Sequence, residues 1–107
     1  MRVLFICSRN RLRSPTAEAI FSLRPGIETA SAGTAPDAEE RVSSEHILWA
    51  DVIVVMERSH KVKLAKQFTS TLNGKRIVCL DIPDRYTFMQ PELIALLEQR
   101  VSRFLLP

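Results

Sequence analysis

The sequence predicts an α/β protein with an α/β/α three-layer architecture, in which a four-stranded parallel sheet lies between helices. Apolar runs at residues 3–6 and 52–55 contain no polar residue, which is typical of strands buried on both faces. Strand and helix patterns also alternate as βαβαβαβα with short connections, an order that favours a parallel sheet. At 107 residues, the chain is expected to form a single domain over residues 1–107.

The first half of the chain is predicted to hold two strands and two helices. The first strand spans residues 2–7. Ser14 is expected to cap the next helix with Pro15 at its first position, because serine accepts unpaired helical N–H groups and proline has none to leave unpaired. A break at Pro25-Gly26 precedes a shorter strand over residues 27–32, and a short helix begins after a Ser-Ser-Glu cap at residues 43–45.

The second half repeats the alternation. Four consecutive β-branched residues predict a strand over residues 51–56, and apolar spacing predicts a helix over 59–68. An Asn-Gly turn precedes a fourth strand at residues 76–80. Pro91 opens a final helix whose apolar residues recur with a 3.6-residue period.

Composition narrows the possible environments and partners. No apolar stretch approaches the length of about 20 residues that crosses a bilayer, and the N-terminus lacks the pattern of a signal peptide. We therefore expect a cytoplasmic protein that does not bind a membrane. The net charge of +3 favours anionic partners, but the basic residues form no long run that would indicate nucleic acid. Two cysteines are too few for a disulfide framework, and no metal or cofactor site is expected.

The segment after the first strand has the features of an oxyanion site. Cys7 ends that strand, and Arg13 stands six positions later at the start of a helix. A loop that turns from strand into helix brings backbone N–H groups together at the positive end of the helix dipole, where they bind phosphate or sulfate. The Arg13 guanidinium can hold two phosphoryl oxygens, while the same positive field favours the thiolate form of Cys7.

This loop predicts nucleophilic chemistry on a phosphoryl group. The thiolate of Cys7 would attack in line and form a phosphocysteine, with Ser14 donating a hydrogen bond to the thiolate. The residues expected to surround the phosphate are Ser8, Arg9, Asn10, Arg11, Leu12, Arg13 and Ser14. Arg9 and Arg11 are alternatively solvated loop charges.

The proton transfers require an acid that later acts as a base, and two residues are candidates. Asp81 and Asp84 both follow the fourth strand, which is expected to lie near the first strand in the sheet. Tyr86 is a candidate for stacking on an aromatic leaving group. Cys79 is expected in the core, and His46 and His60 as surface or capping groups.

Several motifs resemble the low-molecular-weight protein tyrosine phosphatases and their arsenate-reductase relatives. The shared features are Cys7-(five residues)-Arg13-Ser14-Pro15 with Asn10 inside it, Ser31-Ala32-Gly33-Thr34, Met56-Glu57-Arg58-Ser59-His60, and Asp81-Ile82-Pro83-Asp84-Arg85-Tyr86. The resemblance implies a short bacterial-type member with the flavodoxin-like phosphotyrosine phosphatase I fold and no metal. It assigns the general acid to Asp84, with Asp81 as the alternative.

The implied activity is a cysteine-dependent phosphomonoester hydrolase, a protein tyrosine phosphatase acting on phosphotyrosine in proteins or on small aryl phosphates. Inorganic phosphate and sulfate are the implied ligands. The segment between Thr34 and Asp51 is shorter than in typical members, which leaves substrate selectivity open. Leu12 replaces a second cysteine found in many members, and arsenate reduction would need further cysteines. The alternatives are a non-catalytic phosphate- or oxyanion-binding module of the same fold and a phosphocysteine carrier of a sugar phosphotransferase system.

Overall fold

The computed structural model describes residues 1–105 and confirms the predicted order of strands and helices. The elements are β1 (Arg2–Cys7), α1 (Arg13–Phe21), β2 (Glu28–Gly33), α2 (Ser44–Trp49), β3 (Val52–Val55), α3 (Arg58–Gln67), β4 (Arg76–Cys79) and α4 (Pro91–Leu105). The four strands form one parallel sheet in the order β2-β1-β3-β4. Within residues 1–105, no helix is both long and apolar enough to span a membrane.

Each face of the sheet has its own hydrophobic core, because successive side chains of a strand point to opposite faces. In β1, Val3 and Phe5 pack into the core on the α1 and α4 face, whereas Leu4 and Ile6 pack into the core on the α2 and α3 face. The residues of β3 alternate in the same way. Both apolar runs are therefore buried on two sides, as the sequence predicts.

The start of α1 differs from the prediction. The helix begins at Arg13, and Ser14 lies inside its first turn rather than at the N-cap. Leu12 occupies the N-cap position and makes no side-chain capping bond. The prediction that Ser14 caps the helix was wrong. Its hydroxyl is hydrogen-bonded to Cys7 and Asn10 rather than to a helical N–H group. The bounds of most other elements shift by a single residue.

The strand order places a crevice at the carboxyl end of β1. The connection after β1 leads to β2 on one side, whereas β3 and β4 lie on the other side. Parallel sheets bind ligands where the strand order reverses in this way. Cys7 is the last residue of β1 and so stands at this point.

Gly33 allows three segments to meet behind the crevice. A Cβ atom at this position would lie 2.5 Å from the Ser8 carbonyl oxygen and 2.6 Å from the Ala38 Cβ. Both distances are far below van der Waals contact. The absence of a side chain therefore lets β2 pack directly against the loop after Cys7.

We expect Gly33→Ala to lower the free energy of unfolding by ~1–3 kcal/mol, because overpacking forces backbone shifts. Urea unfolding of the wild type and the variant measures this difference. An unchanged unfolding midpoint would show that the loop yields without cost.

Candidate active site

Cys7 is held by two hydrogen-bonding groups of the loop that follows it. Its side chain is 3% exposed, and its Sγ lies 2.9 Å from the Ser14 Oγ and 3.2 Å from the Asn10 backbone nitrogen. The Asn10 side-chain amide donates to the Ser14 Oγ at 2.9 Å. Because this bond occupies a lone pair of the serine oxygen, the serine hydrogen is available to Cys7. Ser14 and Asn10 together stabilise a thiolate.

The loop backbone is shaped by Asn10. Its φ of 58° lies in the left-handed region, which asparagine tolerates better than most residues. Its side chain is buried and turned towards Ser14, and its backbone N–H donates to the Cys7 sulfur, so both polar groups support the loop itself. Among residues 1–105, four other loop residues donate no backbone N–H hydrogen bond: Ser8, Arg9, Arg11 and Leu12. These N–H groups are open to an anion.

Arg13 is buried and anchored on one side of its guanidinium. Its Nη1 donates to the Glu57 Oε2 at 2.6 Å and to the Ile82 carbonyl oxygen at 2.7 Å. Its Nε lies 3.7 Å from the Asp84 Oδ1. With Nη1 occupied, the Nε and Nη2 edge remains for a ligand.

His60 is a site residue whose contact with Ser8 the sequence did not reveal. It caps α3, as one prediction held, but it is fully buried rather than on the surface. Its Nδ1 accepts the Glu57 backbone N–H at 3.1 Å, so the hydrogen of a neutral ring is on Nε2. That Nε2 lies 2.9 Å from the Ser8 Oγ and donates to it. Burial, and then the charge of Arg13, lower the pKa of His60 to about 4.

The two aspartates occupy different places. β4 is an edge strand with β3 between it and β1, so it lies near the first strand but does not pair with it. The chain after β4 crosses the end of β3, where the Ile82 N–H bonds the Met56 carbonyl at 2.8 Å. This path brings Asp84 to the cleft beside Cys7. Asp81 instead accepts a bond from the Cys79 thiol at 3.5 Å.

Cys79 is only half-buried, because β4 is the edge strand, so its expected core position is only partly correct. Burial nevertheless raises the pKa of its thiol.

Tyr86 does not line the cleft in the described chain. It packs against the core on the α1 and α4 face, with the Arg85 guanidinium 5.9 Å from its ring centre.

The cleft at Cys7 has a volume of about 580 Å³. Four of its nine lining residues are basic and one is acidic, and the lining consists of Cys7, Ser8, Arg9, Arg11, Leu12, Arg13, Ala35, Lys63 and Asp84. Sequence reasoning selected seven of these positions as site residues. The sequence predicts no role for Glu57 or Lys63 and only a surface or capping role for His60, although the Glu57–His60 spacing is that of a helix capping pair.

Comparisons with known proteins agree with this geometry. Residues 2–48 match the family model described as low molecular weight phosphotyrosine protein phosphatase. A protein-arginine-phosphatase of Geobacillus stearothermophilus is 29% identical over 91 residues, covering 63% of this chain. The aligned chain spans 62% of that curated relative's length.

Two solved structures share the fold. The YwlE arginine phosphatase from Geobacillus stearothermophilus superposes with a TM-score of 0.76 at 24% identity, covering 97% of this chain and 92% of the other. The Vibrio vulnificus Wzb in complex with benzylphosphonate gives 0.78 at 21% identity, covering 96% and 95%. The part of this chain that includes the Cys7 loop is therefore similar in sequence to the low molecular weight phosphotyrosine protein phosphatases, and the chain shares the fold of the two solved structures.

Proposed function

We propose that the chain is a cysteine-dependent phosphomonoester hydrolase that works through a phosphocysteine intermediate. The carrying observation is the Cys7 sulfur held by Ser14 and Asn10 in the same cleft as Arg13 and Asp84. A nucleophile, an oxyanion-binding fork and a titratable acid around one cleft are the parts that such a reaction needs.

In the first step, the loop N–H groups and the free edge of Arg13 bind the phosphoryl oxygens. These donors are fixed before the substrate arrives, so little reorganisation opposes the reaction. The Cys7 thiolate attacks phosphorus and forms the S–P bond as the bond to the leaving oxygen breaks. Asp84, in its protonated form, gives its proton to that oxygen.

In the second step, water hydrolyses the phosphocysteine. The Asp84 carboxylate takes a proton from the water as its oxygen attacks phosphorus. The S–P bond breaks and Cys7 leaves as a thiolate, stabilised by the Ser14 hydroxyl and the Asn10 N–H. Inorganic phosphate is released and Asp84 is protonated again.

We propose protein phosphotyrosine, or a small aryl phosphate, as the substrate class. Leu12 and Ala35 supply the apolar lining against which a ring can pack. The arginine phosphatase activity of the named relatives makes phosphoarginine a second candidate. The arginine product is a cation, however, and the Arg9, Arg11 and Lys63 charges disfavour it.

The proposed reaction requires no metal, since Arg13 and the loop N–H groups supply the positive charge. We also propose the cytoplasm as its location. A thiolate nucleophile must stay reduced, and Cys7 is a free cysteine with Leu12 in place of a neighbouring thiol.

We expect hydrolysis of an aryl phosphate in the presence of a chelator, and its loss in Cys7→Ser. Asp84→Asn should lower kcat by roughly 10²–10⁴-fold, the usual contribution of a general acid. Asp81→Asn is the matched control and should retain most activity, because Asp81 lies beside Cys79. Steady-state kinetics of the four proteins measure these effects.

A crippled Asp81→Asn with an active Asp84→Asn would contradict the acid assignment. Phosphate binding without turnover of phosphotyrosine, phosphoarginine or aryl phosphate would identify a non-catalytic binding module instead. Stable transfer of phosphate onto Cys7 from a donor protein would identify a carrier.

His60 should make stability depend on pH. The folded protein holds it neutral down to about pH 4, whereas an unfolded histidine takes a proton near pH 6.5. Because the unfolded state binds more protons between these values, stability should fall as pH falls from 6.5 to about 4, by ~3 kcal/mol in all. Above pH 6.5 this contribution should be constant.

Urea unfolding at a series of pH values tests this dependence against His60→Asn, in which it should disappear. His46→Asn is the control, because His46 is the corresponding capping residue at the start of α2 and is only partly buried. Parallel curves for the wild type and His60→Asn would show that His60 does not stay neutral in the fold.

A further inference from the structure

We propose that the cleft selects phosphorylated peptides whose residues next to the phosphorylated side chain are acidic. This inference rests on the proposed hydrolase function and names its substrate class more closely. The observation behind it is the charge of the cleft lining, which contains four cationic side chains and one carboxylate, that of Asp84.

The four cations divide into one inner and three outer groups. Arg13 is 2% exposed and lies at the base, where its free edge meets the phosphoryl group. Arg9, Arg11 and Lys63 are exposed and come from two elements, the loop after β1 and α3. A bound phosphoryl group uses the inner cation, so the outer three remain for the rest of the substrate.

The two outer arginines already bind carboxylates in the free protein. The Arg9 Nε lies 3.8 Å from the Asp37 Oδ2, and the Arg11 Nε lies 3.2 Å from the Glu39 Oε1. All four side chains in these pairs are about half exposed or more, and such pairs are weak. Peptide carboxylates can therefore replace Asp37 and Glu39 at little cost.

The segment that contains Asp37 and Glu39 is held against the loop after β1 by backbone hydrogen bonds rather than by its carboxylates. The Glu39 N–H donates to the Arg9 carbonyl at 3.0 Å, and the Ala35 N–H donates to the Ser8 carbonyl at 2.9 Å. The segment therefore stays in place when peptide carboxylates replace those of Asp37 and Glu39 at the two arginines. Neither Asp37 nor Glu39 lines the cleft, so neither residue blocks the entry of a peptide.

Lys63 makes no ion pair in the part of the chain that the structure describes. It is exposed on α3, and its side chain lines the cleft. Lys66 is exposed on the same helix but does not line the cleft, so it provides a control of equal charge. An acidic peptide can therefore bind Lys63 without first replacing a carboxylate of the described chain, unlike Arg9 and Arg11.

The experiment compares two phosphotyrosine peptides that differ only in their flanking residues, glutamate in one and lysine in the other. Each exposed contact contributes a few-fold, so three should raise kcat/KM for the acidic peptide by roughly tenfold at low salt. Lys63→Glu should reduce this ratio, whereas Lys66→Glu should leave it unchanged. High salt should reduce the ratio in the wild type, because exposed charges are screened.

A small aryl phosphate without flanking charges serves as the reference substrate. Its kcat/KM should be the same in the wild type and Lys66→Glu, which verifies folding of the control. For the Lys63 variants the two peptides are compared within the same variant, so that any change in phosphate binding cancels in their ratio, and Lys63→Gln serves as a milder second variant. Equal kcat/KM for the two peptides, or equal effects of Lys63→Glu and Lys66→Glu on the ratio, would overturn the inference while the hydrolase function stands.

A binding measurement separates the inference from the hydrolase function. Fluorescence titration of Cys7→Ser with each peptide measures affinity without turnover. If no phosphorylated substrate is hydrolysed, the proposed function fails, but tighter binding of the acidic peptide still supports the selectivity. Equal affinities for the two peptides would contradict it.

Discussion

The buried charge of Arg13 is the constraint on which the rest of the site depends. A guanidinium removed from water costs several kcal/mol unless charges and hydrogen-bond acceptors surround it. Here Glu57, just after β3, and the Ile82 carbonyl, beyond β4, supply the acceptors. Three segments far apart in the chain must therefore meet at one side chain. The same meeting brings Asp84 to the cleft and places the start of α3 against the loop after Cys7.

Hydrogen bonds hold the loop after Cys7 on two sides, and on one of them they pass through Glu57, the ion-pair partner of Arg13. Asn10 and Ser14 hold the sulfur of Cys7, while neutral His60 holds Ser8 and is itself oriented by the Glu57 backbone. Each of these hydrogen bonds determines towards which atom the next group donates its hydrogen. A site built in this way has its donors oriented before a ligand enters, which is the condition for strong electrostatic stabilisation of a developing charge.

The predictions succeeded where neighbouring residues in the sequence contain the signal. Apolar runs placed the strands and both ends of α3 to within one residue, Pro91 placed the start of α4, and the end of β1 placed Cys7. The prediction that Ser14 is an N-cap was wrong, because a local pattern does not show that Cys7 and Asn10 compete for its hydroxyl. His60 was expected among surface or capping groups, and only the folded chain shows Ser8 beside it.

The order of elements and the Cys7–Arg13 spacing follow from the sequence alone, since local periodicity, strand ends and loop length determine them. Which aspartate lines the cleft does not follow from the sequence, because both come within five residues of the end of β4. Tertiary structure separates them: hydrogen bonding of the chain to the end of β3 carries Asp84 inward and leaves Asp81 beside Cys79. Lys63 likewise joins the three arginines of the cleft lining only once α3 lies beside the loop, since Lys63 is fifty residues from Arg13 in the chain.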